Sequence, residues 1–202
     1  MTNSHSLQYL SKQDKILKKL IKIFGEYELK TKKYPFDSLV KTVISQQLSG
    51  SAGNTITSRV ENLHGKRPFK SDRILSLNLD ELKSCGVSKS KIKTIIGLAE
   101  ADIRGELSKK RLDKLSDEEV IEVLTSYWGI GKWTSEIFLM FTLGRLDVLA
   151  NNDVGLERSH SILYPDSPSI QVTSEKWKPY RTIASWYLWK FIDNQEMCKG
   201  LV

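Results

Sequence analysis

Cysteine is scarce in this sequence and long apolar runs are absent, and both facts restrict its class. The 202 residues include only two cysteines, Cys85 and Cys198. Two cysteines so far apart are too few for a disulfide framework or a four-cysteine iron–sulfur cluster, and they lack the spacing of a local metal site. No apolar run approaches the roughly 18 residues of a membrane-spanning helix, and Met1–His5 lacks the pattern of a signal peptide. We therefore expect a soluble intracellular protein with no membrane partner.

The composition is that of an ordinary globular protein with an excess of positive charge. Hydrophobic residues make up 40% of the chain, and its length accommodates one substantial core or two small lobes. Lys and Arg number 31 against 24 for Asp and Glu, which gives a net charge of +7 and an isoelectric point near 9.3. This excess suits a polyanionic partner such as nucleic acid, although a basic chain does not require one.

The most informative stretch is Tyr127–Thr134, called the hairpin below, which joins two amphipathic segments. Leu115–Tyr127 begins with a serine N-cap and acidic residues, and its apolar residues recur at helical spacing. Thr134–Leu143 carries a broad apolar surface, so a second helix is predicted there. Gly129 and Gly131 allow positive φ and leave amide N–H groups unobstructed at a helix N-terminus, which favours an anion such as phosphate.

Helical periodicity covers most of the remaining sequence and predicts an all-α fold. The predicted helices are Gln8–Tyr27, Phe36–Gln47, Ala52–Leu63, Lys89–Ile103 and Ser174–Ile192, with short helices at Arg73–Ser76 and Glu81–Ser84 capped by Ser71 and Asp80. Leu146–Leu149 is the only stretch with a strand pattern. The lysines of the first helix could contact nucleic acid or a membrane, but we favour a solvated basic face. The turn at Gly86 repeats the order glycine, apolar residue, small residue, which an internal duplication and a common way of turning explain equally well.

Two loops have features that a simple helix connection does not explain. Ser45–Ser51 has the serines and glycine of a capped connection, yet it places Gln46 and Gln47 beside Leu48. Asp153 follows two asparagines and precedes a predicted helix. An isolated aspartate in that place is expected to be an N-cap, and a catalytic role is the less common alternative.

The hairpin and Asn151–Leu156 together resemble the signature of the helix-hairpin-helix DNA glycosylases. In that signature a Gly-apolar-Gly hairpin is followed by a loop with an aspartate, and here Asp153 lies twenty residues after Trp133. Within the superfamily the chain is most similar to the alkylated-base branch, the 3-methyladenine DNA glycosylases II. Three more stretches fit that branch, namely Val43–Ser49, the turn at Gly86 and Trp177–Arg181, so the resemblance covers roughly residues 34–193.

The resemblance implies a helix-hairpin-helix glycosylase fold with two small helical lobes and the active-site cleft between them. Residues 1–202 would form a single such unit, with lobe one at about 36–115 and lobe two at about 1–35 plus 116–202. Lyase-competent relatives carry a lysine nucleophile at the position of Trp133, and Lys132 is one residue early. The resemblance therefore implies a monofunctional enzyme.

The resemblance also assigns roles to particular residues. Asp153 would be the catalytic carboxylate, which stabilises an oxocarbenium-like sugar and orients or deprotonates water. Trp133, Trp189 and Ile137 would line the base pocket, and Trp186 and Tyr187 are expected in the core. The DNA contacts would be Gln47 and Leu48, which fill the gap left by an extruded nucleotide, and Gly129, Gly131, Lys132 and Thr134, which bind phosphate. A buried capping role for the glutamine is the alternative.

The implied function is a monofunctional DNA glycosylase of base excision repair that hydrolyses the N-glycosidic bond of alkylated purines such as 3-methyladenine in damaged duplex DNA. Two alternatives stay open: a glycosylase for deaminated or oxidised bases, and a non-catalytic helix-hairpin-helix DNA-binding module. We expect a monomer without a cofactor, located in the cytoplasm with the nucleoid in a prokaryote or in the nucleus of a eukaryote. No metal site is predicted, although a monovalent cation at the hairpin carbonyls stays open.

Overall fold

The computed structural model describes residues 3–65 and 67–200, and in these ranges the fold is all-helical, as predicted. No strand occurs there, and Leu146–Leu149 is irregular. None of the helices in these ranges has the length and apolar character needed to cross a membrane.

The helices are short to medium in length, and several connections contain a single turn of another helix type. In chain order they are α1 (Asn3–Gln13), α2 (Lys15–Phe24), α3 (Pro35–Ser45), α4 (Gly50–His64), α5 (Ser71–Ser76), α6 (Leu79–Ser84), α7 (Lys89–Ile103), α8 (Lys109–Leu112), α9 (Asp117–Thr125), α10 (Lys132–Phe138), α11 (Val154–Leu163), α12 (Ile170–Ser174) and α13 (Arg181–Asp193). The π-helical segment Leu139–Leu143 continues α10, and 3₁₀ turns occupy Glu175–Trp177 and Gln195–Cys198.

Helices with clear local start and stop signals were predicted well. The predicted bounds of α7 are confirmed, and those of α3, α4 and α9 agree within two residues at each end. Ser116 and Glu119 form a reciprocal capping box at the start of α9. The predicted caps of the two short helices were wrong, because Lys70 and Asn78 occupy the N-cap positions and Asn78 forms its own capping box.

The predicted single helix Gln8–Tyr27 was wrong, since the chain breaks at Asp14. Asp14 has extended backbone, and its Oδ1 accepts the amide N–H groups of Ile16 and Leu17 at 2.8 and 3.1 Å. A carboxylate that bonds the following amides competes with helix continuation and starts a new helix instead. The apolar periodicity continues across this break, which explains why the pattern did not reveal it.

Asp14 is also the centre of a buried hydrogen-bond network. Only 2% of the residue is exposed, and its Oδ2 accepts the Tyr164 hydroxyl at 2.9 Å and the Trp177 indole N–H at 2.8 Å. The Lys176 ammonium lies 3.1 Å from the same oxygen. Burial alone raises the pKa of this carboxyl, but hydrogen bonds from Trp177, the Leu17 amide and Lys176 outweigh it, and the pKa lies below its ordinary value.

The predicted long helix Ser174–Ile192 was also wrong, because residues 178–180 interrupt it. Pro179 has no amide N–H and restricts the residue before it, so the helix restarts only at Arg181. A residue distant in sequence satisfies the new helix start. The Asp147 carboxylate accepts the Arg181 backbone N–H at 3.2 Å and pairs with the Arg181 guanidinium at 2.8 Å.

The chain divides into two compact units. The hairpin unit is Thr31–Leu143 and contains α3 to α10, and the aspartate unit is Met1–Lys30 with Gly144–Val202 and contains the other helices. The expected lobe boundary near residue 115 differs from this division, since α9 and α10 fall with α3 to α8. The physical reason is that α10 packs on both α9 and α3, and α3 packs on α7.

The turn before α7 has the same backbone form as the hairpin. Gly86 has φ of +96°, Val87 is buried, and Ser88 is the N-cap of α7. In the hairpin the corresponding features are the positive φ of Gly129, buried Ile130, and an N-cap at the next residue. This likeness is as compatible with a common way of turning as with duplication.

Candidate functional site

The hairpin connects α9 to α10 through one left-handed glycine. Gly129 has φ of +79°, and the following Ile130 is buried. Gly131 is the N-cap of α10 with φ of −99°, so only one of the two glycines uses the positive φ that both were expected to allow. Gly131 also has open space where a side chain would begin, because no atom lies within 4 Å of a Cβ built on it.

The start of the hairpin is held by a charged pair in the loop after α7. The Tyr127 hydroxyl donates to Glu106 at 2.6 Å, and Arg104 donates to the same carboxylate at 2.7 Å. The bonds from Arg104 and then Tyr127 lower the pKa of Glu106 to about 2, while burial and the Glu106 contact raise the pKa of Tyr127 to about 12. Both groups therefore keep their charge states near neutral pH, and the contact persists there.

The N-terminus of α10 is exposed and carries a lysine. Gly131, Lys132 and Trp133 are exposed, and no side chain caps this helix start. The Lys132 ammonium lies 4.0 Å from the Glu136 carboxylate, which is a long ion pair at a mostly exposed lysine. Backbone amides with a helix dipole behind them and a lysine beside them favour a bound anion.

Thr134 differs from the other predicted phosphate contacts because its side chain is buried. Only 2% of the residue is exposed, and its Oγ1 accepts a hydrogen bond from the Gln46 side-chain Nε2 at 3.0 Å. Its contact with DNA stays a prediction, and in this structure its hydroxyl is bonded to Gln46 within the protein.

The carbonyls of the hairpin are the groups that would bind the monovalent cation left open above. The Gly131 carbonyl accepts both the amide and the hydroxyl of Ser135 at 3.1 Å, and the Gly129 carbonyl accepts the Gln46 side chain at 3.3 Å. Each of these carbonyls thus accepts at least one hydrogen bond from the protein. Among residues 3–65 and 67–200, no group of three or more His, Cys, Asp or Glu side chains is arranged so that it could hold a metal ion. The cation stays a prediction, and no step below depends on it.

Replacing Gly129 with alanine is expected to lower the free energy of unfolding by at least about 1–2 kcal/mol, the cost of a left-handed residue with a side chain. Steric overlap adds to this cost, since the new Cβ would lie 2.2 Å from Thr94 Oγ1. Chemical denaturation measures the change. Gly131→Ala is the matched control and should cost less than about 1 kcal/mol, because its φ is negative and the space is open. Equal losses in the two variants would show that the hairpin backbone is not the cause.

The turn Gln46–Leu48, called the wedge turn below, follows the last residue of α3. Gln47 has φ of +57°, a conformation that is uncommon for a residue other than glycine. The Gln47 side chain is exposed, and 39% of Leu48 is exposed. The alternative of a buried capping glutamine therefore does not describe Gln47. Its neighbour Gln46 is half-buried and is the C-cap of α3.

Asp153 is the N-cap of α11, as predicted, and it has a second partner. Its Oδ1 accepts the Leu156 amide at 2.8 Å and the Trp189 indole N–H at 2.9 Å. The two bonds hold this oxygen between α11 and α13. The N-terminus of α11 and the indole donor thus both place partial positive charge at this carboxylate.

Close packing at Gly155 allows the contact between Asp153 and Trp189. A Cβ on Gly155 would lie 3.2 Å from Asp153 Oδ1 and 3.3 Å from the Trp189 ring. A larger residue would therefore press on both partners. Asn152 adopts φ of +60° in the loop before Asp153.

The predicted base-pocket residues lie in separate parts of the sequence, and each is at least partly accessible. Trp133 is 38% exposed, and Ile137 lies one turn further along α10 and is half-buried. Trp189 is half-buried and bonded to Asp153. Tyr187 is fully buried, as expected, whereas Trp186 is only half-buried and lies under the Lys190 ammonium.

Several residues of the site were not predicted from the sequence. Gln46, Lys91 and Thr94 contact the wedge turn or the hairpin, and Gly155 packs on Asp153. The sequence signal for Gln46 was the unusual pair of glutamines. Trp128 is 62% exposed beside the hairpin, with the Lys93 ammonium 4.0 Å from its ring centroid. No sequence pattern pointed to that pair.

The chain has relatives of known type over most of its length. Residues 40–181 match the family described as HhH-GPD superfamily base excision DNA repair protein. The chain is 35% identical over 192 residues to DNA-3-methyladenine glycosylase 1 of Schizosaccharomyces pombe, covering 90% of this chain and 84% of that protein. The crystal structure of a DNA-3-methyladenine glycosidase from Bacillus halodurans is 39% identical, with a TM-score of 0.82 over 95% of this chain and 90% of that one. The Schizosaccharomyces pombe 3-methyladenine DNA glycosylase in complex with abasic DNA is 34% identical, with a TM-score of 0.85 over 94% and 97%.

Proposed function

This chain belongs to the HhH-GPD superfamily of base excision DNA repair proteins, and we propose that it is a monofunctional DNA glycosylase. It hydrolyses the N-glycosidic bond of alkylated purines such as 3-methyladenine in duplex DNA. The observation that carries this function is the Asp153 carboxylate, which Trp189 and the Leu156 amide hold in place in a chain that is 35% identical to a DNA-3-methyladenine glycosylase.

DNA binding follows from the family and from the surface of the hairpin unit. The backbone at the exposed start of α10 and the Lys132 side chain would bind a phosphate, which positions the duplex without reading its sequence. Gln47 and Leu48 project from the wedge turn and would fill the space left by the extruded nucleotide. Extrusion is required because a base inside the duplex cannot reach an enzyme pocket.

The chemistry needs a carboxylate but no strong acid. Alkylation at purine N3 or N7 places a positive charge on the base, which makes the base a good leaving group. As the N-glycosidic bond breaks, the sugar becomes oxocarbenium-like, and an ionised Asp153 stabilises it and orients or deprotonates the attacking water. The water oxygen bonds to C1′, and the base leaves with the electron pair of the broken bond.

The base pocket suits a cation. We assign Trp133, Trp189 and Ile137 to it, because electron-rich rings attract a positively charged base. Ile137 would make one wall of the pocket apolar. Trp189 has a second task here, since its indole N–H is bonded to Asp153.

The absence of a lysine at position 133 accounts for the monofunctional reaction. A lyase needs an amine that forms a Schiff base with the sugar, and the tryptophan at this position has none. The neighbouring Lys132 is exposed and directed towards Glu136. The protein would work as a monomer on duplex DNA with a damaged base, with the nucleoid in a prokaryote or in the nucleus of a eukaryote.

A panel of duplexes tests this function, each with one alkylated, deaminated or oxidised base. Incubation followed by alkaline cleavage detects abasic sites, and borohydride trapping detects a Schiff base. We expect cleavage of the duplexes with alkylated purines only after alkali, and no trapped covalent complex. Release of only deaminated or oxidised bases would change the substrate class. Salt-sensitive binding without any abasic product would indicate a DNA-binding module instead.

Trp189→Phe is expected to slow single-turnover base release about tenfold. The variant keeps an aromatic ring for the base but removes the donor to Asp153, and a hydrogen bond to a charged group is worth about 1.5–3 kcal/mol. Rates with enzyme in excess over a methylated duplex measure the effect, and duplex affinity should change little. Trp186→Phe, a half-buried ring on the same helix, is the control. A wild-type rate for Trp189→Phe would remove the positioning role of the indole.

A further inference from the structure

We propose that Gln46 and Lys91 are positioning residues that hold the wedge turn in its left-handed form and tie it to the hairpin. Binding of a phosphate at the hairpin and entry of Gln47 and Leu48 into the duplex would then be one concerted event. The inference rests on the proposed function, because it concerns how the same DNA is engaged.

Lys91 supports the backbone of the wedge turn from a neighbouring helix. Its ammonium, on α7, donates to the Ile44 carbonyl at 2.7 Å and to the Gln46 carbonyl at 2.8 Å. Both carbonyls lie at the C-terminus of α3, where helix carbonyls lose their usual amide partners and carry the negative end of the dipole. A lysine in this place satisfies two acceptors that the end of α3 exposes.

Gln46 connects the same turn to the hairpin through its side chain. Its Nε2 donates to Thr134 Oγ1 at 3.0 Å and to the Gly129 carbonyl at 3.3 Å. Thr134 is buried in the first turn of α10, and Gly129 is the left-handed glycine of the hairpin. The main chain of Gln46 is thus held by α7, and its side chain is held by the phosphate-binding hairpin.

The two contacts surround the one strained residue of the turn. Gln47 lies in the left-handed region, and a residue with a side chain keeps that conformation only when its surroundings fix it. The Leu48 amide closes the turn on the Ser45 carbonyl at 3.2 Å. Gly53 of α4 packs so closely on Ser45 that a Cβ would lie 2.9 Å from its hydroxyl. Gln47 and Leu48 are therefore exposed side chains on a turn that is fixed from three helices.

A fixed wedge turn should favour insertion of Gln47 and Leu48 into the duplex and have little effect on the affinity for undamaged DNA. Side chains that are already in position lose less conformational freedom when they enter the duplex, and that gain is realised only in the extruded state. Loss of Gln46 or Lys91 should therefore reduce insertion and base release more than it reduces affinity for an undamaged duplex, which phosphate contacts dominate.

The test uses the full chain with Gln46→Met, Lys91→Met and the conservative Lys91→Arg, and Lys89→Met as the control. Lys89 lies two residues before Lys91 on α7, is exposed, and carries the same charge. Insertion is followed by the fluorescence of 2-aminopurine beside a tetrahydrofuran abasic analogue, which needs no catalysis. Affinity is measured by fluorescence anisotropy with an undamaged duplex, and base release by single turnover on a methylated duplex.

We expect Gln46→Met and Lys91→Met to reduce the insertion signal and the single-turnover rate about tenfold, with less than about a threefold loss of affinity for undamaged duplex. Lys91→Arg, which keeps a charged donor, should recover much of the signal, and Lys89→Met should match the wild type. If Lys91→Met also lowers the unfolding midpoint, the result for Gln46→Met decides whether the inference holds. Because the Gln46 side chain is only half-buried, its replacement should affect stability less.

Three results would overturn the inference. The first is an insertion signal in Gln46→Met and Lys91→Met that equals the signal of Lys89→Met. The second is a loss of duplex affinity as large as the loss of insertion. The third is a loss of insertion that unfolding explains in both Gln46→Met and Lys91→Met. A different result would reject the proposed function and leave the positioning role intact. If the wild type releases no base from any duplex but its insertion signal depends on Gln46, the positioning role stands and the glycosylase assignment is wrong.

Discussion

Replacing Asp153 with asparagine is expected to slow release of alkylated purines by at least about 100-fold, the usual contribution of a positioned charge or base at a reacting centre. Asparagine has the same shape and is an equally good N-cap, so it can still accept the Leu156 amide and the Trp189 indole N–H. It cannot carry the negative charge that stabilises the oxocarbenium-like sugar. The variant therefore separates the charge of Asp153 from its structural role.

Single-turnover base release from a methylated duplex measures this loss, and the unfolding midpoint should stay close to that of the wild type. Asp166→Asn is the matched control, because it removes one exposed carboxylate from the same unit. Duplex affinity should be unchanged or slightly higher in both variants, since each removes a negative charge. A rate for Asp153→Asn within a few fold of the wild type would mean that Asp153 is an N-cap only and that another group supplies the charge.

The hairpin and the Asp153 loop could be predicted from the sequence because their signals are local. The left-handed Gly129, the serine cap of α9 and the N-cap at Asp153 each depend on residues within a few positions. The same holds for α7, whose predicted bounds are confirmed. Where a helix start or end is set by its own neighbours, periodicity and caps are sufficient.

The partners of these residues could not be predicted, because they are distant in the chain. Trp189 lies 36 residues from Asp153, and Thr134 lies 88 residues from Gln46. Aromatic residues in an apolar helix usually belong to a core, so the sequence did not indicate that the Trp189 indole would hold a carboxylate. The resemblance placed Trp189 near the substrate but did not give it this hydrogen bond.

The break at Asp14 shows how a tertiary contact can override a helical pattern. Leu10, Leu17 and Leu20 are all fully buried and continue one apolar face across the break. Asp14 interrupts the backbone without interrupting that face, since its carboxylate is engaged by residues more than a hundred positions away. The buried network at Asp14 was therefore not visible in the apolar periodicity of the sequence.

Replacing Asp14 with asparagine is expected to lower the free energy of unfolding by about 3 kcal/mol. The amide oxygen can keep the two backbone bonds at the start of α2, but the amide NH₂ would face the Tyr164 hydroxyl, the Trp177 indole N–H and the Lys176 ammonium. Hydrogen bonds to a charged acceptor are worth about 1.5–3 kcal/mol each, and the indole donor would lose its partner in a buried site. Chemical denaturation at neutral pH measures the loss. Asp193→Asn, at the exposed end of α13, removes the same charge and should change stability little.

The pH dependence separates this carboxylate from a general loss of packing. Because the folded pKa of Asp14 lies below its ordinary value of 3.8, the unfolded state binds the proton more tightly. The contribution of the ionised group is therefore fully present above that ordinary value and is lost as the pH falls through the lower folded pKa. The stability difference between wild type and Asp14→Asn should stay constant from pH 7 to about 5 and shrink below about 4. A difference that is the same at pH 3 as at pH 7 would mean that shape, and not charge, accounts for the role of Asp14.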